Sequence, residues 1–198
     1  MLLALAQWLA QFDPVFHVVG FLTLRAILST LTALLLALLV GPAVIERLTA
    51  AKVGQYVRDD GPQSHLSKTG TPTMGGALII VAVVASTLLW ADLSNRQVWI
   101  ALAATLGFGL VGGVDDYRKL VYGNSKGLSA AAKYTGQSLI ALAAASYLYY
   151  SSEVPAETEL IVPFFKSVAV PMGLWFIPFV YLVVVGSSNA VNLTDGLD

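Results

Sequence analysis

Long apolar runs separated by short polar stretches repeat along this chain of 198 residues. A helix that crosses a bilayer needs about 20 mostly apolar residues. Five segments qualify: Phe21 to Val40, Met74 to Trp90, Val98 to Val114, Ala130 to Tyr150 and Val168 to Gly186. The pattern predicts an all-α, polytopic helical membrane protein with five transmembrane helices in one membrane domain over residues 1–198, without internal repeats. Gly41-Pro42 is expected to stop the first span, because proline lacks a backbone donor and clashes with the preceding turn. Pro178, inside the fifth, is expected to kink its helix rather than break it, since neighbouring helices can satisfy the freed carbonyl.

Composition supports the membrane reading. Hydrophobic residues make up 57% of the chain and charged residues only 12%, with a mean hydropathy of +0.74, outside the range of soluble globular domains. A net charge of -1 provides no field that would recruit nucleic acid. Cysteine is absent, which excludes disulfides and thiolate metal sites but carries no information about compartment.

Residues 1–20 lack the basic start and cleavage site of a secretory signal and carry Gln7, Gln11 and Asp13 among Leu, Trp and Phe, so an interfacial helix is expected. His17 reads as a polar residue at the membrane surface. The segment 151–167, with Glu153, Glu157 and Glu159, reads as an external connection, and its Glu159 to Phe165 portion as a short strand pair.

Charge sets the orientation. Loops 42–73 and 115–133 hold Arg47, Lys52, Arg58, Lys68, Arg118, Lys119, Lys126 and Lys133, against Arg25, Arg96 and Lys166 on the opposite side. This asymmetry places those two loops in the cytoplasm. Alternation then brings the segment from Ser187 onward to the same face.

Two polar clusters hang on the ends of apolar spans. Asp115 and Asp116 follow the third, and Asn189, Asn192, Asp195 and Asp198 follow the fifth. A charged Asp at bilayer depth costs about 2.5 to 3.5 kcal/mol on insertion scales, so clustered carboxylates belong at an interface or in a functional cleft. Adjacent helical residues point about 100° apart, so Asp115 and Asp116 are expected to divide their work: one facing a cation or substrate, the other orienting Arg118, Lys119 or a helix end. The plainer alternative is that both mark the water boundary, although a cytoplasmic helix end favours Lys or Arg over Asp. In the second cluster each step of three turns a side chain back by about 60°, so a continuous helix cannot gather all four residues, and Gly196 offers a break. Asn, Asp and Thr194 form a hard-oxygen set suited to Mg²⁺, ribose hydroxyls or a base edge. A polar cap at a membrane exit is the alternative.

The loop from Arg58 to Gly76 runs into the second span. Thr71 or Thr73 can cap that helix, with Pro72 in its first turn, and a helix N-terminus beside Lys68 suits a phosphate. His65 in that loop reads as structural. Gly107, Gly109, Gly112 and Gly113 lie inside an apolar span, and Gly109 with Gly113 gives the small-xxx-small spacing of close helix packing rather than a phosphate loop. Trp8, Trp90 and Trp99 read as interfacial anchors.

Four strings occur in order on these spans: Gly-Thr-Pro-Thr-Met-Gly-Gly (70–76), Val-Asp-Asp-Tyr-Arg-Lys (114–119), Pro-Phe-Phe-Lys (163–166) and Asn-Ala-Val-Asn-Leu-Thr-Asp-Gly-Leu-Asp (189–198). Together they resemble the bacterial phospho-N-acetylmuramoyl-pentapeptide transferases, within the wider class of polyprenyl-phosphate sugar-1-phosphate transferases. The resemblance implies Mg²⁺-dependent transfer of phospho-MurNAc-pentapeptide from UDP-MurNAc-pentapeptide to undecaprenyl phosphate. Lipid I and UMP would form at the cytoplasmic face of the bacterial inner membrane, with a homodimer as a candidate assembly. It matches Asp115 and Asp116 to the family's paired aspartates, and Asn192, Asp195 and Asp198 to its nucleoside-side polar motif. Lys68, Thr73 and Lys133 match positions lining the same cleft. Asn189 joins these as a candidate substrate contact, and Asp115, Asp116 and Asp195 are candidate metal ligands.

The resemblance also implies a family chain roughly twice as long, with about ten spans of about 20 residues each, another essential aspartate and a histidine-rich loop in its second half. The expectation is therefore an N-terminal half, with part of an active site and no activity alone. The rival function, a cation-coupled transporter, predicts ionisable groups at span centres or broken helices in paired repeats; here the charged groups gather at one face.

Overall fold

The computed structural model describes residues 1–50, 75–122, 127–162, 164–165 and 168–195, with side chains in the last helix as far as Asn192. The chain forms two compact units, Met1–Ser129 and Ala130–Asp198. The fold is all-α in character, with one two-stranded sheet among the described residues.

The first unit opens with a short helix, α1 (Leu2–Leu9), and a 3₁₀ turn over Pro14–Gly20 that Asp13 caps by accepting the Val15 N–H at 2.9 Å. Three long helices follow: α2 (Leu22–Ala50), α3 (Gly75–Trp90) and α4 (Arg96–Tyr122). Gly41-Pro42 does not stop the first of them. Pro42 lies inside α2, which continues to Ala50. The local rule is outweighed by packing: α2 lies along α3, Gly41 is buried, and a Cβ there would meet Leu78 at 3.5 Å. A chain that broke at this point would leave backbone polar groups in apolar surroundings.

The C-terminal end of α3 is tied to α2. Arg25 donates to the Trp90 carbonyl at 3.4 Å, and the Trp90 indole donates to Thr32 Oγ1 at 2.9 Å. A cation beside the last carbonyls of a helix is favoured by the macrodipole, which gives Arg25 a structural role inside an apolar segment. Asn95 caps α4 by accepting the Gln97 N–H at 2.8 Å. In the turn before it, Asp92 accepts from the backbone N–H and the hydroxyl of Ser94 at 3.0 and 2.7 Å, and these bonds hold its carboxyl below the usual range. Within the glycine-rich part of α4, Gly109 lies against α3. A Cβ on Gly109 would fall 2.5 Å from Ile80 Cδ1 on α3, whereas nothing lies within 4 Å of one on Gly112 or Gly113.

In the second unit, α5 (Ala130–Tyr150) and α6 (Phe176–Asp195) pack together. Between them β1 (Glu159–Ile161) pairs antiparallel with β2 (Ala169–Pro171), Leu160 opposite Val170. The segment 159–165 thus supplies one strand of a pair rather than both; the second, Ala169–Pro171, lies where the fifth span was expected to begin. Pro178 does not kink α6. It is the third residue of that helix, where the backbone N–H needs no helical partner and proline is tolerated. Gln137, Ala141 and Ala145 of α5 and Val185 of α6 are buried.

Three stretches among the described residues are long and apolar enough to cross a membrane: α2, α4 and Gly173–Asn192. The apolar α3 has 16 described residues, about 24 Å at 1.5 Å per residue. The Lys, Gln, Ser and Tyr residues of α5 dilute its apolar character.

Candidate functional site

α4 runs past the apolar stretch ending at Val114, so Asp115 and Asp116 lie within a continuous helix rather than at its end. Asp115 is buried, at 5% exposure, while its neighbour is partly exposed. The Lys119 ammonium contacts Asp115 Oδ2 at 2.8 Å and Asp116 Oδ1 at 3.1 Å. The two carboxylates therefore converge on one cationic point, contrary to the expectation that neighbours about 100° apart cannot share a target. The reason is reach: spacings of three and four residues put Lys119 beside both, and its long arm closes the remaining angle. The signal was present in the spacing.

The other oxygen of Asp115 accepts the Leu128 N–H at 2.7 Å, tying the segment that follows α4 back onto it. Gly127 makes this approach possible. Its φ is +48°, and a Cβ there would collide with the Asp115 carboxylate and lie 2.9 Å from Lys119 Cε. Arg118 turns elsewhere, over the Tyr122 ring at 5.5 Å. Partial burial works to lower the Lys119 pKa, but hydrogen bonds to Asp115 and Asp116, with their charges, outweigh it and hold the group above its ordinary value. Lys119 lies five residues past Val114, where the apolar run of α4 ends.

In the second unit, Asn189 donates both hydrogens of its amide inside the protein. One goes to Gln137 Oε1 at 2.9 Å and the other to the Val185 carbonyl at 2.8 Å. Asn192 is exposed, and Asp195 is the last residue of α6, which runs unbroken through Asn189 and Asn192. Lys133 sits in the first turn of α5, partly buried. Lys68, Thr73 and Asp198 lie outside the described residues, as do the cap positions Thr71 and Pro72, His65 and Gly196.

Gln137 escaped the sequence reading. A single glutamine in an Ala-rich helix has no motif around it, and the available hint is that polar side chains inside membrane helices seek partners on other helices.

Among the described residues no group of three or more His, Cys, Asp or Glu assembles. The Asp115 and Asp116 pair still fits Mg²⁺ chemically. Mg²⁺ takes hard oxygens, commonly one or two carboxylates with the remaining positions filled by water and substrate phosphates. The Lys119 ammonium marks where a positive charge is shared by both carboxylates.

The family model for glycosyl transferase family 4 matches residues 98–198, just over half of the chain. The chain belongs to glycosyl transferase family 4. The match begins at the apolar run of α4 and takes in the aspartate pair, α5, the strand pair and α6. This family 4 protein is a membrane-associated transferase of the polyprenyl-phosphate sugar-1-phosphate class. Its apolar helices agree with that character.

Proposed function

We propose that this family 4 transferase moves phospho-MurNAc-pentapeptide from UDP-MurNAc-pentapeptide to undecaprenyl phosphate. It would release UMP and form lipid I at the cytoplasmic face of the bacterial inner membrane, in peptidoglycan biosynthesis. The phosphoryl-transfer chemistry rests on one observation: Asp115 and Asp116 converge on a single cationic point at the polar end of an apolar helix. The choice of donor and acceptor rests on the four sequence strings, three of which, 114–119, 163–166 and 189–198, fall inside the family match.

An oxygen of the lipid phosphate attacks the sugar-side phosphorus of the donor pyrophosphate. The new P–O bond forms as the bond to UMP breaks, and UMP carries away the electron pair. A phosphate monoester has a second pKa of about 6, so the acceptor is mostly a dianion at neutral pH and needs little help from a base. Asp115 and Asp116 then serve to hold positive charge and position the acceptor rather than to remove a proton. When bound, Mg²⁺ supplies charge neutralisation for the pyrophosphate, with Asp115, Asp116 and Asp195 as its candidate ligands. Lys68, Thr73 and Lys133 would hold donor phosphates, and Asn192, Asp195 and Asp198 the uridine side.

The test uses the protein at its full natural length in detergent with Mg²⁺ and undecaprenyl phosphate. Labelled UDP-MurNAc-pentapeptide should yield UMP and an organic-soluble product, while UDP-N-acetylglucosamine should yield none. Product from the second donor alone would reassign the protein to a sister activity. Product from neither would overturn the transferase reading for this chain.

A further inference from the structure

Two polar contacts join α5 and α6 among the described residues. At one, Tyr181 on α6 shares hydroxyl contacts with Tyr134 at 2.6 Å and Ser138 at 3.1 Å on α5. At the other, Gln137 is buried at 7% exposure, four and eight residues before the buried Ala141 and Ala145. Its side-chain oxygen accepts from Asn189. Small residues let two membrane helices approach closely, and a buried amide without a partner is costly. The pair is therefore satisfied at one rotational setting of α6 and left unpaired at others. Because the second hydrogen of the Asn189 amide is held by Val185 one turn back, Asn189 has no N–H left to offer a ligand. Asn192, three residues on and turned back by about 60°, is exposed.

We propose that Gln137 and Asn189 are positioning residues whose hydrogen bond fixes the rotation of α6, so that Asn192 is presented to the uridine side of the donor. For the donor this rests on the transferase reading above; the clasp between the helices is independent of it. Asn189 thereby keeps only its side-chain oxygen for any direct donor contact, and Gln137, outside every motif, acquires a role in donor recognition.

The test compares Gln137→Leu with Gln137→Glu in the protein at its full natural length, reconstituted in nanodiscs. Leu keeps the volume and loses the acceptor oxygen; Glu keeps the oxygen. Spin labels at Leu139→Cys and Val191→Cys, both exposed positions on the two helices, report their mutual setting without any turnover. Wild type and Gln137→Glu should share one narrow distance, and Gln137→Leu should broaden it. In unlabelled protein, Gln137→Leu should raise the donor KM by roughly three- to twentyfold, the range that one interhelical hydrogen bond in a membrane spans, with kcat little changed. Gln137→Glu should stay near wild type. If Gln137→Leu fails to insert, the double variant Gln137→Leu, Asn189→Leu removes both polar groups and carries the same readouts.

A seam that is only packed would show the reverse order, Leu tolerated and Glu disruptive, and that result overturns the proposal. So does a broadened distance with an unchanged donor KM, because the clasp would then not set donor recognition. A wild-type protein that makes no lipid product sinks the transferase reading instead, and the distances still decide the clasp.

Discussion

Gly127 lies against the carboxylate of Asp115 at a distance no other residue could share. Its positive φ of +48° alone disfavours any side chain, and a Cβ would overlap the carboxylate and crowd Lys119. Gly127→Ala is expected to cost about 1 to 2 kcal/mol from the left-handed backbone alone, and more from displacing Asp115. The Leu128 N–H bond to Asp115 should be lost with it. Thermal unfolding in detergent checks the first effect, and faster amide exchange at Leu128 checks the second. A variant with wild-type stability and wild-type protection would show that the segment holds its place without this contact.

Lys119 should behave as a permanent cation across the neutral range. Its pKa is raised above the ordinary 10.5 by the two carboxylates. A group whose folded pKa is raised contributes its stability in full below the unfolded value and loses it as pH rises through the folded one. The difference in melting temperature between wild type and Lys119→Met should therefore be constant from neutral pH to 10.5 and shrink only above it. Its side chain is 35% exposed, so solvent screening keeps the contribution small. A difference that already fades near neutral pH would show that the aspartates do not hold the charged form.

Much of this fold was legible because its main signal, apolar length, is the one that lipid enforces. Every predicted span contains a helix in the structure, whereas the second strand, Ala169–Pro171, lies past the 151–167 connection, within the segment read as the fifth span. What misled was locality. Proline at 42 satisfies every rule for a helix stop, yet α2 continues because α3 lies alongside at Gly41 and Leu78. Proline at 178 looked central only while the helix start was placed too early; with a 3₁₀ turn over Gly173–Trp175 it falls in the first turn. The aspartate pair was found but its geometry was not, because angular spacing treats side chains as rigid spokes and ignores the reach of lysine. The Gln137 partnership spans 52 residues of sequence, and no local pattern encodes which of two helices will supply a buried amide with its partner.

Gly109 tests the packing reading of the glycine-rich stretch. A Cβ at this position clashes with the Ile80 Cδ1 tip and meets the rest of that side chain at ordinary contact distance; the tip can rotate away, so Gly109→Ala should be nearly neutral. Gly109→Leu leaves no such escape and should cost about 1 to 3 kcal/mol, as overpacked cores do. Gly113→Leu, at a position with open space around it, should cost less than Gly109→Leu. Unfolding of the three variants in matched detergent gives the ranking. Equal costs at 109 and 113 would mean that the whole stripe, and not this one contact, seats α3 on α4.

The aspartates should separate by kind of damage. Asp115 is buried, holds the Leu128 N–H and pairs with Lys119; Asp116 makes the same lysine contact from a side chain that is 35% exposed. In Asp115→Asn the amide can still accept from Leu128, but it then turns its own N–H groups toward the ammonium. A hydrogen bond to a charged partner is worth about 1.5 to 3 kcal/mol, so a stability loss of about that size is expected together with loss of turnover. Asp116→Asn keeps the buried contacts and should lose turnover with little change in melting temperature. Measuring both quantities on each variant decides the matter. If Asp116→Asn lost as much stability as Asp115→Asn, the two would act as one structural unit, and the division between a buried anchor and a working carboxylate would be wrong.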